Sequence, residues 1–525
     1  MKIRIQLLLI LLLFVGVTGC SDWLDVNENP NSLTKSTKDL VIVGAEKQFA
    51  ERQQLGSGFS LLGAWIGYFG HSGGWSGWNN VKSYNMTSSD YTGFFSGPYL
   101  SELKSLKYVE EKGIEEENPA YVGVAKIMRS ALFQRIVDTY GDVPYFEATK
   151  GYEGNTQPVY DDAQLIYEDL VHQLDTAIIL IKSAEDATLR LEPKYDIIGG
   201  GDLNVWKQYA NTLKLRVLLR QAEMSGRQSY ITSNMKFNSA GFLSASLTAN
   251  PGYIVNQPGK MNPIYGYGKD KDGNLTNANQ QYGLNIFLLT IYKAHSDARL
   301  SLCWMPGVNS GDYSHGLQLG INDAEEDHWK EAAIRMGPGI YGKSDDDVVV
   351  MSNVEVDFLI AEALARGYDL SSAGVTATAQ NMFNKGIEDS YYYYGRRAGV
   401  ADADIATLVS NYMNSLSGDV AWDNANPVKS IIYQKYIAGL GLYHYETWAD
   451  YRRTGYPEPL NPDEVDNSMI SYYFNIVRAQ VPVRMLYIQK ELDINTENVK
   501  AAIDKTGISY DASFIMDAKI FWDVK

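Results

Sequence analysis

Residues 120–140, AYVGVAKIMRSALFQRIVDTY, carry the pattern from which the fold is read. Tyr121, Val124, Ala125, Met128, Leu132, Phe133, Ile136 and Val137 recur at steps of three and four, which lines one side of an α-helix with apolar groups. Gly141 and Pro144 then stop it, because glycine suits the left-handed backbone past a helix end and proline cannot continue the ladder. The reading extends along the chain. Asp161 and Asp162 start a second helix with a buried stripe of Ile166, Leu170, Leu174, Ile178 and Ile181. Asn204 is expected to cap a third, in which Trp206, Ala210, Leu213 and Val217 share a face. Further helices are predicted over 354–366, 377–391 and 428–451. The class is mostly α. Paired amphipathic helices suggest a helical-repeat layout, although no clean ~34-residue self-similarity is present. Between 225 and 347 the periodicity fades and Gly, Asn, Pro and Tyr dominate, which predicts a loop-rich lobe carried on the helical body. The acidic run 110–117 and the triplet Asp345, Asp346 and Asp347 read as solvated connectors.

The whole chain has 525 residues with 46 basic and 63 acidic side chains, and its net charge of −17 disfavours nucleic acid as a partner. With 45% hydrophobic and 21% charged residues it has the material for a large core. Two cysteines exclude a disulfide framework. Lys2 and Arg4 precede an apolar run at 7–17, too short to cross a bilayer as a helix and suited to a secretory signal. Val17-Thr18-Gly19-Cys20 then resembles a bacterial lipobox, so residues 1–19 are expected to be removed and Cys20 to carry lipid. The alternative is a secreted protein in which Cys20 is incidental. An acidic chain is not drawn to anionic headgroups, so attachment would rest on acyl chains. Residues 20–37, polar and without periodicity, read as a tether, leaving 38–525 as one domain.

Catalytic signatures do not assemble. Gly337-Pro338-Gly339-Ile340-Tyr341-Gly342-Lys343-Ser344 formally matches a phosphate-binding loop, but the three aspartates that follow would repel the anion. The six histidines never fall on adjacent helical turns with a carboxylate, no serine sits in a nucleophile elbow, and Cys303 reads as a buried small hydrophobe. Asp272-Gly273 suits a hairpin turn better than a calcium loop. No cofactor or metal is expected.

One stretch suits binding. Residues 67–80, GYFGHSGGWSGWNN, interleave five glycines with aromatic rings. Trp75 and Trp78 offer flat faces for the C–H face of a pyranose, and Asn79 and Asn80 offer donors and acceptors for hydroxyls. The same pattern suits a loop whose tryptophans plug into the helical body. Tyr265, Tyr267 and Trp304 are further candidates, while the run Tyr391 to Tyr394 is read as packing.

Several ordered landmarks resemble the SusD/RagB family of outer-membrane lipoproteins of Bacteroidota, in its SusD-like branch. They are YGDVPYFEA at 140–148, NVWKQYANTLKLRVLLR at 204–220, HSDARL at 295–300, YSHGLQLG at 313–320, AEALARG at 361–367, YETWADYRRTGYP at 445–457 and VPVRMLYIQKELDINTENVKAA at 481–502. The resemblance implies a scaffold of tetratricopeptide-like helix pairs. It also implies a non-enzymatic protein on the cell exterior that captures oligosaccharides and passes them to a TonB-dependent, SusC-like barrel. An oligopeptide cargo is the alternative within the family, and a glycoside hydrolase the alternative of another class. The family's ligand-contacting loops vary, so no binding residue carries over by motif.

Overall fold

A computed structural model describes residues 36–525 apart from 56–57, 73–74, 76, 256, 321–332, 460–467, 474–475, 479 and 509–513. Cys20, the signal segment and the tether to residue 35 lie outside the described residues. The long helices are α1 (Lys38–Gln54), α2 (Gly58–Trp65), α3 (Glu102–Glu115), α4 (Pro119–Tyr140), α5 (Ala163–Asp186), α6 (Leu203–Arg220), α7 (Asn353–Ala365), α8 (Ala379–Arg397), α9 (Asp402–Ser415), α10 (Pro427–Ala438) and α11 (His444–Thr454). Further helices, among them Ile286–Ala294 and Thr496–Asp504, and short strands supply the rest; the strands are β1 (Phe69–His71), β2 (Leu247–Ala249), β3 (Tyr282–Leu284), β4 (Trp304–Met305), β5 (Arg335–Met336) and β6 (Val348–Met351). They form a four-stranded sheet in the order β1-β3-β5-β4 and a two-stranded sheet of β2 and β6. Among the described residues no helix is long and apolar enough to cross a membrane.

Local chemistry places the helix ends. Asn118 accepts from the Ala120 amide at 3.2 Å, Pro119 occupies the first turn of α4, and the Gly141 amide closes it on Val137 O at 2.8 Å. Asp162 Oδ1 accepts from the amides of Gln164 and Leu165 at 3.0 and 3.1 Å and so caps α5. The third cap differs from expectation. Asp202, not Asn204, accepts from the Asn204 amide at 2.8 Å, and Asn204 lies inside the first turn of α6. The helix expected over 428–451 is two, α10 and α11, because Gly439 and Gly441 interrupt it. Gly441 sits at φ 72°, and a Cβ there would come 3.0 Å from Ile340 Cγ2. The freed carbonyls of Ala438 and Leu440 accept from Tyr394 Oη at 2.9 and 2.7 Å. The acidic run is also corrected in part: Glu110 lies within α3 and is held by Lys126 and Arg129 of α4.

Helices pack in sequence-adjacent pairs, α3 on α4, α4 on α5, α5 on α6 and α7 on α8, while α1 on β6 and α2 on α11 join distant parts of the chain. A charged seam adds to these long-range contacts. Arg216 and Arg220 of α6 face Glu355 of α7 and Glu446 of α11, with Arg216 to Glu355 at 3.0 Å and Arg216 to Glu446 at 3.2 Å. Asp450 takes Lys435 at 2.7 Å and Arg453 at 2.9 Å, and Arg453 reaches Glu362 at 2.5 Å. All these side chains are buried, and opposed charges hold Glu446 and Glu362 at about 2 despite burial. The seam ties α6, α7, α10 and α11 together where sequence-adjacent packing does not.

Candidate functional site

The four-stranded sheet carries the aromatic residues of the 67–80 stretch toward those of the loop-rich lobe. In β1 and β3, His71 pairs opposite Tyr282 and Phe69 opposite Leu284. Trp78 follows seven residues after His71, with its backbone left-handed at φ 64°. That turn lays the indole on Tyr282, with centroids 4.5 Å apart and planes at 33°, and beside His71 at 5.5 Å. Tyr267 comes from the short helix Pro263–Gly268 and stacks parallel to Tyr282, 6.1 Å apart at 9°. Three chain segments thus build one row of rings, Trp78, Tyr282 and Tyr267, backed by Phe59 of α2 edge-on to Tyr267 at 5.1 Å. Trp78 and Tyr267 keep part of their surface exposed, whereas Tyr282 is buried between them.

Polar groups fringe the row. The hydroxyls of Tyr267 and Tyr282 meet each other and Ser60, and burial raises both above the ordinary phenol range. Burial also pushes Tyr91 up to about 12, with Tyr282 reinforcing the shift and the Trp78 indole opposing it. Gln281 Nε2 lies 3.0 Å from His71 Nε2, and Arg335 Nη2 donates to Ser72 Oγ at 3.1 Å. Burial pulls the Arg335 guanidinium down to about 10.

Each expected residue has a definite place. Trp78 and Tyr267 are joined through Tyr282. Trp75 is half-buried and makes no ring contact among the described residues. Asn79 is exposed, and Asn80, also exposed, has its amide committed to Asp90 Oδ2 at 3.0 Å. Tyr265 turns away, edge-on to Tyr341 at 6.2 Å. Trp304 is corrected: at 1% exposure it is a core wall behind Phe69, 6.1 Å away, because β4 sits at the sheet's far edge beneath other elements. Sequence reasoning missed Tyr282, Tyr91 and Ser60. Tyr282 belongs to a three-residue strand, too short to show a period.

The remaining motifs stay structural. The segment after Gly337 forms a helix of four residues ending at Gly342, which offers no phosphate cradle, and Val348–Met351 follows as β6. Lys269 and Leu275 bridge across a turn with Gly273 at φ 83°. Cys303 is fully buried and its thiol is pushed up by burial. Tyr391 and Tyr394 are core residues, while Tyr392 and Tyr393 are half-buried on the outer side of α8.

Comparison with known proteins adds three findings. The SusD-like family, described as starch-binding and associating with the outer membrane, matches residues 33–487. A SusD homolog from Bacteroides uniformis shares 23% identity at a TM-score of 0.72, covering 92% of this chain and 99% of that one. A chitin-binding SusD homolog from Flavobacterium johnsoniae shares 20% identity at 0.72, with 92% and 99% covered. At these identities the two structures speak for the fold. No curated protein matches the chain significantly.

Proposed function

Starting from a chain that belongs to the SusD-like family, we propose that it is a cell-surface lipoprotein that binds oligosaccharides on the Trp78–Tyr282–Tyr267 row and delivers them to a SusC-like, TonB-dependent barrel without cleaving them. The observation that carries the reading is the row itself: rings from three separate segments, with Trp78 and Tyr267 each within 6.1 Å of the central Tyr282 and both keeping exposed surface. Flat apolar faces stack on the C–H faces of pyranoses, and neighbouring hydroxyls and amides take the sugar's hydroxyls. Trp75 stands in the same loop with no ring contact among the described residues and serves as an outer contact. The chitin-binding neighbour and the starch-binding family description support glycan over peptide cargo. Anchoring is assigned to lipid on Cys20, which directly follows the apolar run at 7–17.

The test titrates pure protein with chito-oligosaccharides and malto-oligosaccharides by calorimetry while assaying for released reducing ends. Saturable binding lost in Trp78→Ala and Tyr267→Ala, with no product, supports the reading. Binding unaffected in both variants removes the site, and product formed at enzymatic rates removes the binding-only role.

A further inference from the structure

A second pocket, of about 370 Å³ and sharing no residue with the aromatic row, opens where the end of α4 and the start of α5 meet the last segments of the chain. Gly141, Asp142, Arg484, Tyr487, Lys505 and Lys519 lie on its wall. Arg484 is the unusual member, because it is only 2% exposed and pairs with no carboxylate among the described residues. Its Nη2 donates to the Tyr140 carbonyl, it shares a side-chain hydrogen bond with Tyr487, its guanidinium carbon lies 5.1 Å from the Tyr487 ring centroid, and its Nε is buried without an acceptor. Guanidinium offers five N–H groups, and a buried cation left this short of acceptors is costly.

The nearby carboxylates do not fill that need. Asp142 Oδ1 accepts from the Ala163 amide at 2.9 Å and its Oδ2 takes Lys505 Nζ at 2.8 Å. Asp162 is committed to capping α5. The charged side chains on the wall, Asp142, Asp162, Arg484, Lys505 and Lys519, sum to one positive charge. Gly141, at φ 78°, puts no side chain over Nη1 on the pocket side of the otherwise buried guanidinium: a Cβ there would come 3.6 Å from Nη1 of Arg484 and 3.9 Å from its Cζ. Lys519 lies on the same wall with an exposed side chain, and its Nζ donates to the exposed Lys525 carbonyl, a contact that an anion held in the pocket would replace.

We propose that this pocket binds a small oxyanion, either a free sulfate or phosphate ion or the acid group of a bound sugar, through the open N–H groups of Arg484 with Lys519 as a second cation. The reading is independent of the aromatic row.

Calorimetric titration of the purified protein with sodium sulfate, sodium phosphate and glucuronate, at an ionic strength held constant with sodium chloride, tests it. The expected result is saturable binding of at least one probe, weakened tenfold or more in both Arg484→Gln and Lys519→Met. Sulfate or phosphate binding identifies a free-ion site, and binding of glucuronate alone identifies an acid-sugar site. Lys519→Met changes an exposed side chain, so it remains decisive if Arg484→Gln does not fold. No saturable binding beyond chloride, or wild-type affinity in Lys519→Met, overturns the proposal.

Discussion

Trp78 and His444 show how much a single side chain depends on what surrounds it. Trp78 is expected to dominate the glycan contact, and its replacement by alanine is expected to weaken oligosaccharide binding by about 1–3 kcal/mol, the scale of losing one stacking platform elsewhere. Calorimetry beside Trp304→Phe checks this, since Trp304 is buried and its variant should bind as wild type. His444 carries a pH dependence. Its Nε2 accepts from the Gly441 amide at 2.8 Å and its Nδ1 lies 2.8 Å from the Phe59 carbonyl, an arrangement that only a neutral ring satisfies. Burial accordingly holds it down at about 4. The folded value lies below the unfolded ~6.5, so the stabilisation is fully present above ~6.5 and is lost as pH falls through about 4, by roughly 2–4 kcal/mol. An NMR titration of the His444 ring is expected to show no protonation between pH 8 and 5. The glycine-spaced indoles were legible as candidates because composition alone marks them. The burial of Trp304 and the Asn80 to Asp90 contact were not, because both depend on partners the local sequence does not name.

At the scale of elements, the caps translate directly into stability. Asp162→Ala removes the acceptor for two amides of α5 and is expected to cost about 1 kcal/mol, read as a lower urea midpoint at unchanged slope. The second helix was readable from its aspartates, and the third was misread by two residues because Asp202 and Asn204 are both good caps and only backbone geometry selects between them. The break between α10 and α11 has the same origin. Gly439 and Gly441 are compatible with a weak continuous helix, and the hydroxyl that Tyr394 donates to the freed carbonyls and the close approach of Ile340 favour the break. Tyr282 escaped notice for the opposite reason, since a strand of three residues gains its identity from β1 and β5 beside it.

For the whole molecule, the charged seam through α6, α7, α10 and α11 is a long-range electrostatic tie. Removing one partner leaves buried charges uncompensated, so Glu446→Gln, facing Arg216 and Arg220, is expected to destabilise by about 3–5 kcal/mol in urea unfolding. The seam places ionised groups where helix periodicity calls for core, which is why its pairing was not read beforehand. Anchoring is tested separately: Cys20→Ala is expected to move the protein from the outer-membrane fraction to the soluble one, with glycan affinity unchanged.

Helix positions, the mostly helical class and the family landmarks could be read along the chain because each rests on residues within a few turns of one another, where spacing and capping act directly. The row of Trp78, Tyr282 and Tyr267, the exclusion of Trp304 from it and the pocket beside the buried Arg484 came from folding. Each joins segments far apart in the chain, and burial is a property of the neighbours a side chain meets, not of the side chain.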